Sequence, residues 1–568
     1  MARDETGSRP PRERVWRIVP LAAAVLFAVL AMDAARIETP TIDEFAHVPS
    51  GFAILAHGDT TLYAKNPPLG KALLALPGTI GGNVRVPEVR EPPFGWGPWR
   101  YGDRFMRANT GRYFEVFATA RDVVVALALL AALLVHGWTR TLFGERAAAV
   151  TTTLFLLCPT VLAHGHLATL DVACATTIFG AVVALRWALA AEAPAWLGPS
   201  GARFLAAGAV WGVALLVKFT AVLLLPVYAV VVFARRGRRL RRAAAEIAIL
   251  CTTALVVVNL GMGFRGSFTP LGDYTFGSDF AKGIQSWLPA ATPVPLPRDW
   301  MRGFDAQKRD VERAEFPSYL RGRWAREGWT GYELRALLVK TPLAFLAMLA
   351  VLPLFLWRRG PPRDELWLLL APIAGLSLML TAFNALNVGI RYLLPLFPFT
   401  FVLLGALFSR PGRATRTAAA VLIALYATTA IRTHPSHLAY FNAAAGGSQA
   451  GHEWLLDSNL DWGQDLYRLK PALERRGVTG RISLLYFGHV DPGLYGIDFA
   501  IPPRTPQPGL VAASVAYVKG FAYPAPRPDG RQARVRADPL AWLRDQEPVE
   551  RLGSIWLYDV RADDLPPR

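Results

Sequence analysis

The chain has 568 residues, of which 53% are hydrophobic and only 18% charged, with a formal net charge of +18. That balance is too apolar for a string of soluble domains and suits a protein that crosses a membrane many times. The positive excess would ordinarily point to nucleic acid, but its distribution points elsewhere: the arginines gather in short links between apolar runs, where they signal topology.

About 20 mostly apolar residues are enough to cross a bilayer. Eleven runs are close to that length, at 17–34, 119–138, 147–163, 172–190, 203–219, 220–234, 246–263, 336–357, 366–383, 392–409 and 417–431. The fifth and sixth are short and adjoin. Ahead of the first run and at its first residue lie Arg3, Arg9, Arg12, Arg14 and Arg17; later links read "ARRGRRLRR" (234–242), "WRRGPPR" (357–363) and "SRPGRATR" (409–416). With the N-terminus inside, all four basic segments fall on the cytoplasmic side. "AMDAA" loosely resembles a signal-peptide cleavage site, but the spans that come after it make an uncleaved anchor the better reading. Cys158, Cys174 and Cys251 lie in or beside spans and read as small apolar residues, not as a disulfide framework. In this topology 36–117 and 264–335 are large outer loops, and 432–568 is an outer region without a span.

After the first span comes "RIETPTIDEFAHVPSG" (36–51). Thr41 and Glu44 have capping-box spacing, and Phe45, Val48, Phe52 and Leu55 come next at helical spacing, as in an amphipathic helix at the membrane interface. Pro49 should bend it. Capping accounts for Glu44 but leaves Asp43 without a structural task. Asp43 sits in the first turn, where the helix dipole favours an ionised carboxylate. There it has the chemistry of a general base for an acceptor hydroxyl.

Further along, cations occupy outward span ends, against the inside bias: Arg121 in "ATARDVV", Lys218 in "LLVKFTA", Lys340 in "LLVKTPL" and Arg391 in "NVGIRYLLP". Snorkelling to headgroups explains such a residue singly. Four on one face with Asp43 suggest an anion, and a lipid phosphate is the natural one. The link "LAHGHLATLD" (162–171) adds His164, His166 and Asp171. His-x-His beside a carboxylate is compatible with a divalent metal, although no fourth ligand is specified.

The C-terminal region reads as a small α/β domain. "ISLLYFG" (482–488), "LVAASVAYV" (510–518) and "SIWLYDV" (554–560) suit buried strands. "WGQDLYRLKPALERRG" aligns Leu466, Leu469 and Leu473 on one helical face, with Gly477 as a C-terminal cap and Pro471 as a strain. "ADPLAWLRDQ" offers Asp538 as N-cap and Pro539 at the first helical position. "DSNLDWGQD" imitates the start of a calcium loop at Asp457, Asn459 and Asp461. Trp462 stands where the required glycine belongs and Arg468 where glutamate does, so turn and cap chemistry is the better reading.

The stretch "TIDEFAHVPSGFAILAHGDTTLYAKNPPLGK" resembles the first outer loop of the protein O-mannosyltransferase-like, polyprenyl-phosphate-sugar-dependent glycosyltransferases (glycosyltransferase family 39). These belong to the GT-C superfamily, together with the lipid A aminoarabinose transferases. "HGHLATLD", "LLVKFTA", "LLVKTPL" and "NVGIRYLLPLFPF" continue the resemblance in order. "HPSHLAYFNAAAGG", "LLDSNLDWGQDL" and "YFGHVDPGLYG" are similar to a bacterial subgroup with an extracytoplasmic C-terminal domain. The resemblance implies a GT-C fold of about 11 transmembrane helices with its active site among the outer loops, in a bacterial inner membrane.

It further implies Asp43 as catalytic base with Glu44 beside it, and Asp171 as a member of the site that orients an acceptor or a metal. Asn66, Pro67, Pro68 and Lys71 match the segment that packs on the donor, alongside Arg121, Lys218, Lys340, Arg391 and Tyr392 as donor and phosphate contacts. His47, His164 and His166 fall in the acceptor or metal vicinity. Lys65 and Asn66 stand where the aminoarabinose branch has an acidic residue before the two prolines, a departure that weakens transfer of its metal site or its acceptor.

The expected reaction moves one sugar from a polyprenyl phosphate to a hydroxyl on a protein or envelope glycan, with inversion. A lipid transporter is the main rival, but it would place its ionisable groups near mid-membrane. Here span centres are nearly free of charge.

Overall fold

The structure, a computed structural model, describes residues 11–561 except 94, 192–197, 315, 383–385, 504–505, 530–531 and 536–537. Its frame is helical because the apolar runs are long and can satisfy their backbone groups internally only as helices. Among the described residues nine helices are long and apolar enough to cross a membrane, or up to eleven if two bent pairs each count as one span.

In chain order the helices are α1 (Pro11–Ile37), α2 (Ile42–His57), α3 (Pro68–Ile80), α4 (Gly97–Ala108), α5 (Tyr113–Phe143), α6 (Glu145–Leu156), α7 (Pro159–Gly165), α8 (Asp171–Leu189), α9 (Gly198–Val217), α10 (Leu224–Arg236) and α11 (Leu240–Gly261). They continue with α12 (Asp279–Trp287), α13 (Arg298–Arg313), α14 (Tyr332–Lys340), α15 (Leu343–Arg359), α16 (Arg363–Ala382), α17 (Phe397–Leu404) and α18 (Arg413–Thr433).

Two breaks interrupt expected spans. The third span is α6 plus α7, bent by 59° where Pro159 opens the second helix, and the eighth is α14 plus α15, bent by 117° at Thr341-Pro342. Proline lacks the N–H that would continue the ladder and pushes the residue before it out of helical conformation. The adjoining fifth and sixth runs are two elements: α9 stops at Val217, Lys218 is extended (φ −153°, ψ 139°), and a 3₁₀ turn over Phe219–Leu223 leads into α10.

α2 differs from the expected interfacial helix. Phe45, Val48 and Phe52 are buried as their spacing requires and Leu55 is exposed, but Glu44, Ala46, His47, Ser50 and Gly51 are buried too. The helix is enclosed because the C-terminal region covers its start. Thr39 N donates to Gln464 O and Ile42 N to Trp462 O. On another side α3 comes so near that a side chain at Gly51 would meet the Lys71 carbonyl.

Two short strands pair in the second outer loop, β1 (Ser318–Leu320) and β2 (Arg323–Ala325), and the C-terminal region carries β3 (Ile482–Leu485), β4 (Phe499–Ala500), β5 (Gly509–Ser514), β6 (Ala525–Pro526), β7 (Gln532–Ala533), β8 (Glu550–Leu552) and β9 (Ile555–Val560); β6 pairs with β7, and the other five form a mixed sheet of order β4-β3-β5-β9-β8. β3 runs parallel to β4 and β5; β9 is antiparallel to β5 and β8. The expected strand 510–518 ends at Ser514, where Val515–Val518 turns helical. Leu466, Leu469 and Leu473 pack on Ile482, Leu484 and Leu557 as their spacing requires. Pro471 brings no strain, since it lies in the first turn of the helix Leu469–Arg475, where the missing N–H has no partner to lose. The expected helix after Asp538 does not form. Only a turn of 3₁₀ exists at Ala541–Leu543, and Asp538 is not a cap but a positive-φ residue ion-paired to Arg544.

Candidate active site

A cavity of about 820 Å³ opens where span ends, outer loops and the C-terminal region meet. Each wall has a local cause. The start of α2 supplies Asp43 and His47, one helical turn apart and therefore on one face. The N-terminus of α8 supplies Asp171, the break after α9 supplies Lys218, and the 3₁₀ segment Ile390–Leu396 supplies Arg391 and Tyr392. The loop before α3 adds Tyr63, Lys65 and Asn66, and α13 adds Asp310. Asp457, Trp462, Phe487, Phe521 and Tyr523 come from the C-terminal region. Phe219, Val222, Leu223, Met379, Leu380 and Pro395 form an apolar arm along the span ends.

The charges alternate. Arg391 Nη1 lies 2.6 Å from Asp43 Oδ2 and 3.6 Å from Asp171 Oδ2, and Lys218 Nζ lies 2.5 Å from Asp171 Oδ1. The Arg391 guanidinium sits over the Trp462 ring, 4.4 Å from its centre, and Lys218 sits over Tyr392 at 5.5 Å. Arg391 Nε is buried and makes no hydrogen bond among the described residues. Elsewhere in the lining Lys65 pairs with Asp310 at 2.5 Å. An anion arriving near Lys218 and Arg391 meets two cations compensated by two carboxylates. Displacing Arg391 from Asp43 would leave a free carboxylate next to that anion.

Several residues expected in the site are elsewhere. Glu44 is fully buried and grips Arg121 with both oxygens, at 2.7 Å each. Glu44 Oε2 also accepts from Thr41 N and Oγ1, the return half of the capping box, and Oε1 accepts from Ala168 N. Burial alone would raise the Glu44 carboxyl, but Arg121 and these donors hold it below its ordinary range. Arg121 spends its remaining N–H groups on the carbonyls of Ala35, Glu38 and Thr39. Neither residue lines the cavity, because a buried guanidinium takes the nearest carboxylate and carbonyls. Lys340 likewise turns away, donating to Leu438 O (2.7 Å) and Asn459 O (2.6 Å) and tying α14 to the C-terminal region. Lys71 donates to the carbonyls of Tyr63 and Asn66, so it pins the backbone of the loop before α3 from behind.

Among the described residues the His-x-His link builds no group of metal ligands. His166 places Nδ1 against Leu162 O and Nε2 2.9 Å from Glu38, while both ring nitrogens of His164 are buried without hydrogen-bond partners among the described residues. Among the described residues no three His, Cys, Asp or Glu side chains converge as metal ligands.

Other lining residues had little signal in the sequence. Tyr63, Trp462 and Tyr523 look like ordinary core aromatics, and Asp457 reads as part of a turn. In the structure the Asp457 backbone has φ +55°, a conformation that non-glycine residues seldom adopt and that gathers at functional sites. Burial pushes its carboxyl up to about 6, with Arg391 lowering it and Asp43 raising it.

Residues 115–261 match the family described as dolichyl-phosphate-mannose-protein mannosyltransferase. No curated protein matches the chain. Among solved structures, ArnT from Cupriavidus metallidurans bound to undecaprenyl phosphate is 14% identical, with a TM-score of 0.49 over 97% of this chain and 99% of that one. The oligosaccharyltransferase of Archaeoglobus fulgidus in its apo form is 14% identical, with a TM-score of 0.44 over 92% of this chain and 74% of that one. The chain therefore has the helical frame of a polytopic membrane protein and is similar, over residues 115–261, to the dolichyl-phosphate-mannose-protein mannosyltransferases.

Proposed function

We propose that this chain is an inverting glycosyltransferase that moves one sugar from a polyprenyl phosphate to an acceptor hydroxyl, on a protein or an envelope glycan, at the outer face of a bacterial inner membrane. The observation that carries it is the contact of Asp43 with Arg391 beside Lys218, in one cavity that has an apolar arm. The arm takes the start of the lipid tail, and Lys218 and Arg391 take its phosphate. The phosphate draws Arg391 away from Asp43, and Asp43 becomes the base. The acceptor oxygen then bonds to the anomeric carbon while the bond from that carbon to the phosphate oxygen breaks. The acceptor proton goes to Asp43 and the electron pair to the departing phosphate, whose growing charge Lys218 and Arg391 stabilise. Asp171 holds both cations in register. The acceptor enters past Asp457, Phe521 and Tyr523.

Reconstitution with labelled polyprenyl-phosphate sugars separates sugar transfer from lipid movement and from neither. Asp43→Asn should cut transfer by roughly 100- to 10,000-fold while the protein remains folded. Full activity in that variant would remove Asp43 from the role of base.

A further inference from the structure

Among the cavity's polar side chains His47 stands apart, because it is enclosed and unengaged. It is 4% exposed and lines the cavity, and neither ring nitrogen has a hydrogen-bond partner among the described residues. Its ring stacks on Tyr63 with centroids 5.3 Å apart, which fixes the imidazole plane. Asn66 lines the same cavity. A buried polar atom without a partner is costly, and such atoms in native proteins ask for an explanation.

Resting on the glycosyltransferase reading above, we propose that His47, stacked on Tyr63, forms the subsite that reads a hydroxyl of the transferred sugar through the unengaged nitrogens of its imidazole. A neutral imidazole has one donor and one acceptor, and a hydroxyl has the same pair. Burial pushes His47 down to about 4, and the charges acting on it, Asp43, Lys71, Asp171 and Lys218, are two of each sign. The ring is therefore neutral at physiological pH and keeps both roles. A phosphate would instead be drawn to Lys218 and Arg391, and no metal-ligand group among the described residues includes His47. Its place one turn beyond Asp43 sets the imidazole beside the base, where the sugar ring must lie when its anomeric carbon is attacked.

The test uses the full chain in lipid nanodiscs with undecaprenyl-phosphate mannose, glucose and galactose. The monodeoxy analogues of whichever sugar is transferred come next. Wild type should lose roughly 10- to 100-fold in kcat/KM for one deoxy position. His47→Ala should lose about as much with the parent donor, yet be nearly indifferent to removal of that one hydroxyl. His47→Gln, which can still hydrogen-bond, should recover part of the discrimination. A folded His47→Ala that discriminates against every deoxy analogue as wild type does would overturn the proposal. Donor binding, tracked by quenching of tryptophan fluorescence (Trp96 and Trp99 line the cavity), repeats the same comparison without turnover. A wild-type protein that neither binds nor transfers any of these donors overturns the glycosyltransferase reading and this one with it. Transfer with no coupling between His47 and any hydroxyl overturns this one alone.

Discussion

Asp43 and Glu44 are neighbours in the chain with opposite surroundings. Glu44 has both oxygens engaged and Arg121 as its counter-charge, so it holds α2 to α5. Removing it leaves a buried guanidinium without its carboxylate. Glu44→Ala should therefore destabilise the protein by about 3–5 kcal/mol, seen as a lower melting temperature or lost yield in detergent. A fully stable, inactive Glu44→Ala would contradict this and return Glu44 to the chemistry. Asp457 makes a different prediction. Its folded carboxyl sits at about 6, above an unfolded value near 3.8, so the folded state holds the proton more tightly. Stability from this group is complete below the lower value and falls as pH rises to 6. Above that, the ionised group costs roughly 3 kcal/mol. Asn tolerates the same backbone, so Asp457→Asn should melt higher than wild type near pH 7.5, with the gap narrowing towards pH 4. A gap independent of pH would rule out this account.

At the scale of elements, the positions of the spans were legible because hydrophobic length is a local property. Their breaks were half legible. Pro159 and Pro342 are visible in the sequence, yet the 59° and 117° turns they permit depend on what packs against each arm. Least legible was the division of labour among four similar cations. Arg121, Lys218, Lys340 and Arg391 share a position relative to their spans, but their partners lie up to 348 residues away in the chain, and no periodicity encodes such pairing. Gly389 shows how narrowly one element is held. It has φ +97°, and a side chain there would run into the Asn459 amide, which in turn accepts from Ile390 N at 3.1 Å. Gly389→Ala should cost about 1–3 kcal/mol. Because Arg391 lies two residues further on, the KM for the donor should rise even at temperatures where the protein is folded. An unchanged KM in a destabilised variant would show that the 3₁₀ segment keeps Arg391 in place by other contacts.

Over the whole molecule, charge is sorted from end to end. The cavity occupies one end of α8, α10 and α16, and the opposite ends are laced together by Arg186 with Glu365, Arg235 with Asp364, and Arg236 with Glu246. Arg186 has its partner at 2.8 Å and lies over Trp138. Asp171 and Arg186 bracket about 22 Å of helix, most of a bilayer core. If the basic links are cytoplasmic, the cavity and the C-terminal sheet must face outward. In a background with Cys158, Cys174 and Cys251 replaced, a cysteine at exposed Arg238, in the basic link, should react with a membrane-impermeant maleimide only after permeabilisation. One at exposed Arg481, beside β3, should react in intact spheroplasts. The reverse pattern would put the site on the cytoplasmic face and exclude a donor delivered at the outer leaflet. Labelling of both in intact cells would break the rule that places these arginines inside, and with it the inferred orientation.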